Sequence, residues 1–384
     1  MRAADFDIIV VGDARFQGGT TAAMAADVAA FSRLGARIGL LFVRSPFLED
    51  DEDPPNPAAL ELADLDGVHL LAPGQPAQAR LAFLHHPMVF FRGIETRSPL
   101  RADQSVLVAH HPPFRADGSL EYDPVTTARR ARAALGLSVR FGPISGTVRR
   151  QLESFAPFIR LTGEDWPNIF DTGRWSRGPE ILTGPGAVIG RHGRADLLKW
   201  PATAAEIDAC LPASDALRVR VLGCPQSDLR ARGARLDGWE VVEFGAEDPS
   251  AFLHSLDIFA YHYHPNWVEG FGRTVIEAAL SGRPCLLDPR LEPTFGPMAL
   301  YCPATEVAAA VERMLSDRTG TRRRAIEARE IAQRRFGTDS LRPRLAALQN
   351  DPGTRARRAA SIPPTVALRK LAGLYRRRTA GLEG

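Results

Sequence analysis

The chain has 384 residues, 45% hydrophobic and 24% charged, the make-up of an ordinary soluble globular protein of about two domains. A net charge of +3 is too small to argue for nucleic acid, and no run of about eighteen apolar residues offers a membrane span. Four cysteines without C-x-x-C spacing (Cys210, Cys224, Cys285, Cys302) read as reduced core thiols of a cytosolic protein, and the opening residues lack the pattern of a secretory signal.

In chain order, residues 6–11 form an apolar run and read as a strand. The turn-rich loop "GDARFQGG" follows. Thr20 is placed to cap a helix in which Met24, Val28 and Phe31 recur at helical spacing, and Gly35 ends it. Residues 36–43 read as the next strand, and the acidic, proline-rich stretch 48–57 as a surface loop. Further strands are expected at 81–91, 105–109 and 138–141, the last running into a helix. Proline, glycine and tryptophan cluster over residues 161–180, which read as an interdomain linker. A second alternation begins at 187–189, with strands at 218–222, 240–244, 258–261 and 284–287 and helices between them. Such alternation predicts parallel sheets with helices on their faces. Two such halves predict an α/β protein of two doubly wound, Rossmann-like domains facing a central cleft, with ligands at the carboxyl ends of the strands.

The stretch "HPNWVEGFGRTVIEAALSGRPCLL", residues 264–287, holds Glu269 and Glu277 on either side of a Gly-Phe-Gly turn. Gly270 and Gly272 argue against one continuous helix through both. The better reading is strand 258–261, a loop through Gly272, and a helix from about 273 to 280 closed by Gly282. Free N–H groups at a helix start favour a phosphate, and glycines let it approach the backbone. A carboxylate can hold a vicinal diol. A nucleotide sugar has diols on its ribose and its sugar with a diphosphate between, and two glutamates flanking an anion-binding loop match that pattern. On the pair alone a plainer reading stays open, in which Glu277 favours the helix N-terminus electrostatically and Glu269 is solvated.

The wider stretch "FLHSLDIFAYHYHPNWVEGFGRTVIEAALSGRPCLL" resembles the donor-binding signature of retaining GT-B glycosyltransferases of the group 1, family 4 type. Asp257 leads an apolar strand, Glu269 and Glu277 have the family's spacing, and Gly282-Arg283-Pro284 closes the helix. The resemblance runs from Ile8 to about Leu348 and is strongest over residues 239–287. It implies that Glu269 contacts donor-sugar hydroxyls and Glu277 the ribose. The backbone around Gly270, Phe271 and Gly272, with Arg273 and Thr274 at the helix start, would face the diphosphate. It further implies a basic pair on that diphosphate. Arg191 and Lys199 in "VIGRHGRADLLKWP" are the candidates, and the long spacing lets Arg194 substitute for one of them. Lys199 and Lys370 are the chain's only lysines. "FQGGTT" resembles the family's first-domain glycine loop, with Gly18 and Gly19 opposite the donor phosphates.

Three histidine groups fall at expected strand ends: His85–His86, His110–His111 and His262–His264. The resemblance implies a first-domain histidine near the transferred sugar, and His110 or His111 is the candidate. A zinc site is the competing reading of these groups. No carboxylate or cysteine shows ligand spacing beside them, and the family's chemistry requires no metal, so no cofactor is expected. One departure from the family is "LLDPRLEPTFGPMALYCP", where small residues usually meet the sugar.

The domains implied are 1–170, on the acceptor side, and 171–335, binding the nucleotide-sugar donor, with 336–350 as a helix crossing back and 351–384 as a basic tail. From residue 355 to 378 the tail has basic side chains and no acidic one. Ala367, Leu371, Leu374 and Tyr375 fall on one helical face, with Arg369, Lys370, Arg376 and Arg377 elsewhere. That pattern suits an interfacial helix on anionic lipid, and a solvated tail suits it equally. The expected function is transfer of a sugar, with retained configuration, from a nucleotide diphosphate sugar to an acceptor hydroxyl on a glycan or lipid-linked acceptor. The setting would be cell-envelope or exopolysaccharide synthesis, in the cytoplasm or on the inner face of the membrane. The alternatives are an epimerase or hydrolase on the same fold and an inactive nucleotide-sugar-binding scaffold.

Overall fold

A computed structural model describes residues 4–48, 54–155 and 158–351, and six positions between 368 and 376. Most of the expected interfacial helix (Ala367, Lys370, Leu371, Leu374, Arg377) therefore lies outside the described residues, as does much of the acidic stretch 48–57.

The chain forms two compact units. The first comprises residues 1–114, 119–168 and everything from Pro343 onward. The second comprises residues 115–118 and 169–342. Each contains one six-stranded, all-parallel sheet.

In the first unit the strands are β1 (Ala4–Gly12), β2 (Ile38–Phe42), β3 (Val68–Leu71), β4 (Ala77–His85), β5 (Leu100–Ala109) and β6 (Arg140–Pro143). Their spatial order is β3-β2-β1-β4-β5-β6. In the second unit they are β7 (Ala187–His192), β8 (Leu217–Leu222), β9 (Trp239–Val242), β10 (Ile258–Tyr261), β11 (Cys285–Leu287) and β12 (Leu300–Tyr301). Their order is β12-β11-β10-β7-β8-β9, the same pattern repeated. In both sheets the order reverses beside the first strand, between β1 and β4 and between β7 and β10. Ligands of open parallel sheets bind beyond the carboxyl ends at this point.

Strands covered by helices on both faces read as continuous apolar runs rather than alternating ones. Ile8–Val11 of β1 and Ile258–Tyr261 of β10 are buried throughout. Burying each such side chain contributes about 1.5–3 kcal/mol. The core of the second unit runs from Ile189, Val219 and Ile258 in its sheet to Ile207, Val311 and Met314 on its helices.

Several expectations need correcting. The strand expected at 81–91 ends at His85, and Pro87–Arg92 is a helix. His86 has φ +75°, which breaks the extended chain, and Pro87 then starts the helix with its preset φ. Thr20 does not cap the first helix: it lies inside Gly19–Arg33, whose N-cap is Gly18. The short edge strand β3 was not anticipated. The region expected as one crossing helix, 336–350, is the end of helix Arg318–Phe336, a turn at Thr338–Ser340 and a separate helix Leu341–Asn350. Within the first unit, Asp351 accepts from the backbone N–H of Gly163 at 2.7 Å and pairs with Arg140 at 3.3 Å. Among the described residues, no helix is long and apolar enough to cross a membrane.

Candidate active site

In the second unit, Asp257 leads into β10 and its carboxylate accepts from the backbone N–H groups of Leu182 (2.5 Å) and Val188 (2.8 Å). It therefore ties the start of β7 to β10, the two strands flanking the switch point. After Tyr261 the chain leaves the sheet, and residues 262–272 form the loop to helix Arg273–Leu280. Gly272 is the N-cap of that helix, with φ +81°. A side chain there would be strained, and its Cβ would lie 3.3 Å from the Phe295 ring. No side chain caps this helix start, so its first N–H groups have no side-chain acceptor of their own. At the other end Gly282 has φ +76°, and the N–H groups of Gly282 and Arg283 return to the carbonyls of Ala279 and Ala278, a left-handed glycine stop.

Glu269 is buried, and its Oε2 collects three donors: Lys199 Nζ at 2.5 Å, the Tyr261 hydroxyl at 2.7 Å and Trp267 Nε1 at 3.4 Å. Burial alone would push the carboxyl up. The Lys199 ammonium and these hydrogen bonds outweigh it and hold Glu269 below its ordinary range, so it is an anion at neutral pH. Among the described residues no donor reaches Oε1. Lys199 also sits 4.4 Å over the Trp267 ring. The carboxylate is thus fixed on one oxygen, leaving the other without a donor among the described residues.

Glu277 is likewise buried, on the first turns of the helix, with Oε2 at 3.3 Å from His192 Nε2 and Oε1 at 4.0 Å from Arg273 Nη2. The His192 contact has ion-pair distance without hydrogen-bond alignment. Arg273 stacks on Phe170 at 4.5 Å, and its Nη1 is buried without a hydrogen-bond partner. An orphan guanidinium N–H beside a helix start is a donor suited to phosphate oxygen.

One of the other expected residues stands differently. Arg191 does not present its charge at the loop. It is 3% exposed and held between the rings of Trp200 (4.3 Å) and Tyr261 (4.6 Å), donating to the carbonyls of Lys199 (2.7 Å) and His262 (2.9 Å). Being on a strand buried on both faces, it points into the unit, and its role is to hold the Lys199 and His262 segments. Arg194 is exposed in the loop after β7. Phe271 contributes no side chain to a ligand, because its ring is buried among Phe170, Phe295 and Phe336. Gly270 and Thr274 are half-buried at the loop and the helix start. Tyr261 and Trp267 were not foreseen. Trp267 had a signal, standing two residues before Glu269 in the same loop.

In the first unit Gly18 and Gly19 are exposed at the start of the helix after β1, and Gly18 has φ +72°. His110 and His111 follow β5 directly. His110 Nε2 lies 3.0 Å from His85 Nδ1, at the end of β4. His86 packs against His110, His111 and Phe16. The histidine group was expected at strand ends, and the adjacent interior strands β4 and β5 bring it together at their carboxyl ends. Asp27, reaching in from helix Gly19–Arg33, was missed. It falls between Met24 and Val28 on the buried stripe, and an acidic residue there was the available signal. Among the described residues, no group of three or more His, Cys, Asp and Glu is placed to hold a metal ion.

No family model matches this sequence, and no curated protein is similar to it by sequence. Solved structures are similar in fold. Anabaena Alr3699/HepE, solved in complex with UDP and glucose, has a TM-score of 0.60 at 15% identity, over 89% of this chain and 98% of its own. The fold is of the GT-B type. A glycosyltransferase from Rickettsia africae has a TM-score of 0.59 at 13% identity, over 91% and 98%. The lipopolysaccharide outer core galactosyltransferase WaaB has 0.53 at 12%, over 85% and 98%. At these identities the likeness to GT-B structures is one of fold.

Proposed function

We propose that the chain is a retaining glycosyltransferase that takes a sugar from a nucleotide diphosphate donor to an acceptor hydroxyl. The observation that carries the reading is the pair Glu269 and Glu277 around an uncapped, glycine-started helix at the switch point of the second sheet. In this reading Glu269 accepts sugar hydroxyls through Oε1, and Glu277 accepts the ribose diol. The N–H groups at Arg273 and Thr274, the backbone of Gly270 and Gly272, and the cations of Lys199 and Arg273 receive the diphosphate. Arg194 is a further cation for it. Positive charge aimed at the departing diphosphate lowers the barrier, because charge develops there as the glycosidic bond breaks. Arg191 acts only by holding the Lys199 segment.

No side chain is assigned as a nucleophile. The acceptor oxygen attacks the face from which the diphosphate departs, which keeps the anomeric configuration. The departing phosphate oxygen takes the acceptor proton. His110 in the first unit receives a substrate hydroxyl, and Gly18 and Gly19 offer backbone N–H groups to phosphate. Lys199, Arg273 and a helix start already supply the charge a divalent ion would bring, so the reading asks for no metal. The solved complexes of HepE with UDP and with UDP-glucose favour a uridine donor. The name of WaaB favours an acceptor in a cell-envelope glycan, and the basic tail would bring the protein to the membrane carrying it.

A thermal-shift screen of nucleotide sugars, followed by nucleotide release with and without candidate acceptors, tests the reading. Release only with acceptor, and a product of retained anomeric configuration by NMR, are expected. Release without acceptor would favour a hydrolase, epimer formation an epimerase, and binding without turnover a scaffold. No shift with any nucleotide or nucleotide sugar would sink the donor site itself.

A further inference from the structure

Two buried groups of the first unit, Asp27 and His85, form a line behind the half-buried His110, and the transfer chemistry has used neither of them. Asp27, on helix Gly19–Arg33, is 3% exposed. His85, the last residue of β4, is 1% exposed, and its Nε2 lies 3.8 Å from Asp27 Oδ2. His85 Nδ1 in turn lies 3.0 Å from His110 Nε2. The Trp166 indole N–H donates to the same Asp27 Oδ2 at 3.0 Å and holds the carboxylate in place. Asp27 Oδ1 and His85 Nε2 are both buried without a hydrogen-bond partner. The Asp27 carboxylate is the acceptor beside the unpartnered His85 Nε2, and a shift of under 1 Å closes the 3.8 Å contact with Oδ2 to hydrogen-bond distance.

We infer that Asp27 and His85 are positioning residues that fix the tautomer of His110. A carboxylate can only accept, so His85 places its proton on Nε2, towards Asp27. His85 Nδ1 is then an acceptor. His110 must place its proton on Nε2 to donate to it. The lone pair of His110 is thereby set on Nδ1, on the opposite side of the ring. The order Asp27, His85, His110 works in one direction because its first member has no proton to give. Burial keeps His85 neutral, pushing its imidazole down to about 3. Burial pushes the Asp27 carboxyl up to about 6, with the Arg344 guanidinium, stacked on Trp166 at 4.3 Å, partly opposing it, so that at pH 7.5 Asp27 is the anion. Holding Nδ1 as an acceptor fits it to take a hydrogen bond from a substrate hydroxyl. This last step rests on the transferase reading, whereas the tautomer chain does not.

The test separates the two. In 15N-histidine-labelled protein at pH 7.5, signals assigned with single His→Gln variants should show His85 and His110 protonated on Nε2 and not on Nδ1. This measurement needs no activity and no variant of Asp27. Asp27→Asn keeps the shape and the acceptor for Trp166 but presents an amide N–H to His85. Both rings should then reverse to the Nδ1–H form, with kcat falling by about a hundredfold or more and KM for the nucleotide sugar changing by less than about threefold. An Nδ1–H form of His85 in the unsubstituted protein, or unchanged tautomers in Asp27→Asn, overturns the inference. Reversed tautomers with unchanged kcat overturn the part given to His110 in the reaction and, with it, the use of the chain.

Discussion

Asp27→Asn should make the protein more stable. Burial pushes the Asp27 carboxyl up to about 6, against an ordinary value of 3.8, with Arg344 and the Trp166 hydrogen bond only partly opposing it. The folded state therefore favours the neutral acid. Its advantage is fully present below about pH 4 and is lost as pH rises through 6. Two pH units correspond to about 3 kcal/mol, the penalty of keeping this carboxylate ionised inside the first unit at neutral pH. Asparagine has the same shape, still accepts from Trp166, and never ionises. At pH 7.5 it should raise the melting temperature of the first unit by roughly 6–12 °C, taking 2–4 °C per kcal/mol for a unit of this size. Differential scanning calorimetry on both proteins from pH 4 to 8 reads the effect. The gap should be near zero at pH 4 and open between pH 5 and 7. A gap that is absent at pH 7.5, or that stays constant down to pH 4, would refute the reasoning. A stabilised but slower enzyme would mean that the ionised carboxylate is kept for function at the expense of the fold.

Other outcomes follow from the second unit. Glu277→Gln should weaken binding of free nucleotide about tenfold or more, while Glu269→Gln mainly lowers turnover, each losing a charge-assisted hydrogen bond of about 1.5–3 kcal/mol. Calorimetric titration with UDP beside steady-state kinetics checks this, and equal, negligible effects from both would discard the donor site. Lys199→Met removes the cation that offsets the burial of Glu269, so its carboxyl should rise. The variant's residual activity should then climb with pH where the unsubstituted enzyme is flat, and parallel pH profiles would contradict the pairing. Deleting residues 355–384 should leave the melting temperature unchanged but reduce co-sedimentation with anionic vesicles, steeply so at low salt, each basic residue contributing about 1 kcal/mol near such a surface. Equal pelleting of both proteins would remove the membrane from the reading.

The sequence was most legible where glycines punctuate it. Gly270, Gly272 and Gly282 bracket the helix expected at about 273–280, which is Arg273–Leu280, and the strand before it is 258–261 as expected. The overlong strand at 81–91 failed because Met88–Phe91 is apolar enough to pass for strand. What ends β4 is a backbone angle at His86, which composition does not display. β3 escaped because His69 and Leu70 are exposed and the strand is only four residues long. Among site residues, the positions of the two glutamates were readable from spacing, but the partners of Glu269 were not. Tyr261 and Lys199 reach it from separate strands and turns, and only the register of β7 beside β10 brings them together. Arg191 was misjudged for the same reason. A strand with both faces buried has no alternation to tell which way a side chain points, and here it points between two aromatic rings.

The discontinuous first unit has a consequence for how the protein is made. Its last segment, from Pro343, is translated only after the whole of the second unit, about 175 residues beyond residue 168. At 5–20 residues per second, the ribosome needs roughly ten to forty seconds for that stretch. Through this interval the early strands can pair, but Trp166 lacks the Arg344 guanidinium that stacks on it, and Gly163 and Arg140 lack Asp351. The nascent first half thus emerges with its buried carboxylate at Asp27 lacking the nearest countercharge, and it closes last, when the C-terminal segment arrives. Truncations of the chain after residue 342 would therefore release a half-finished unit, even though every strand of both sheets has already been synthesised.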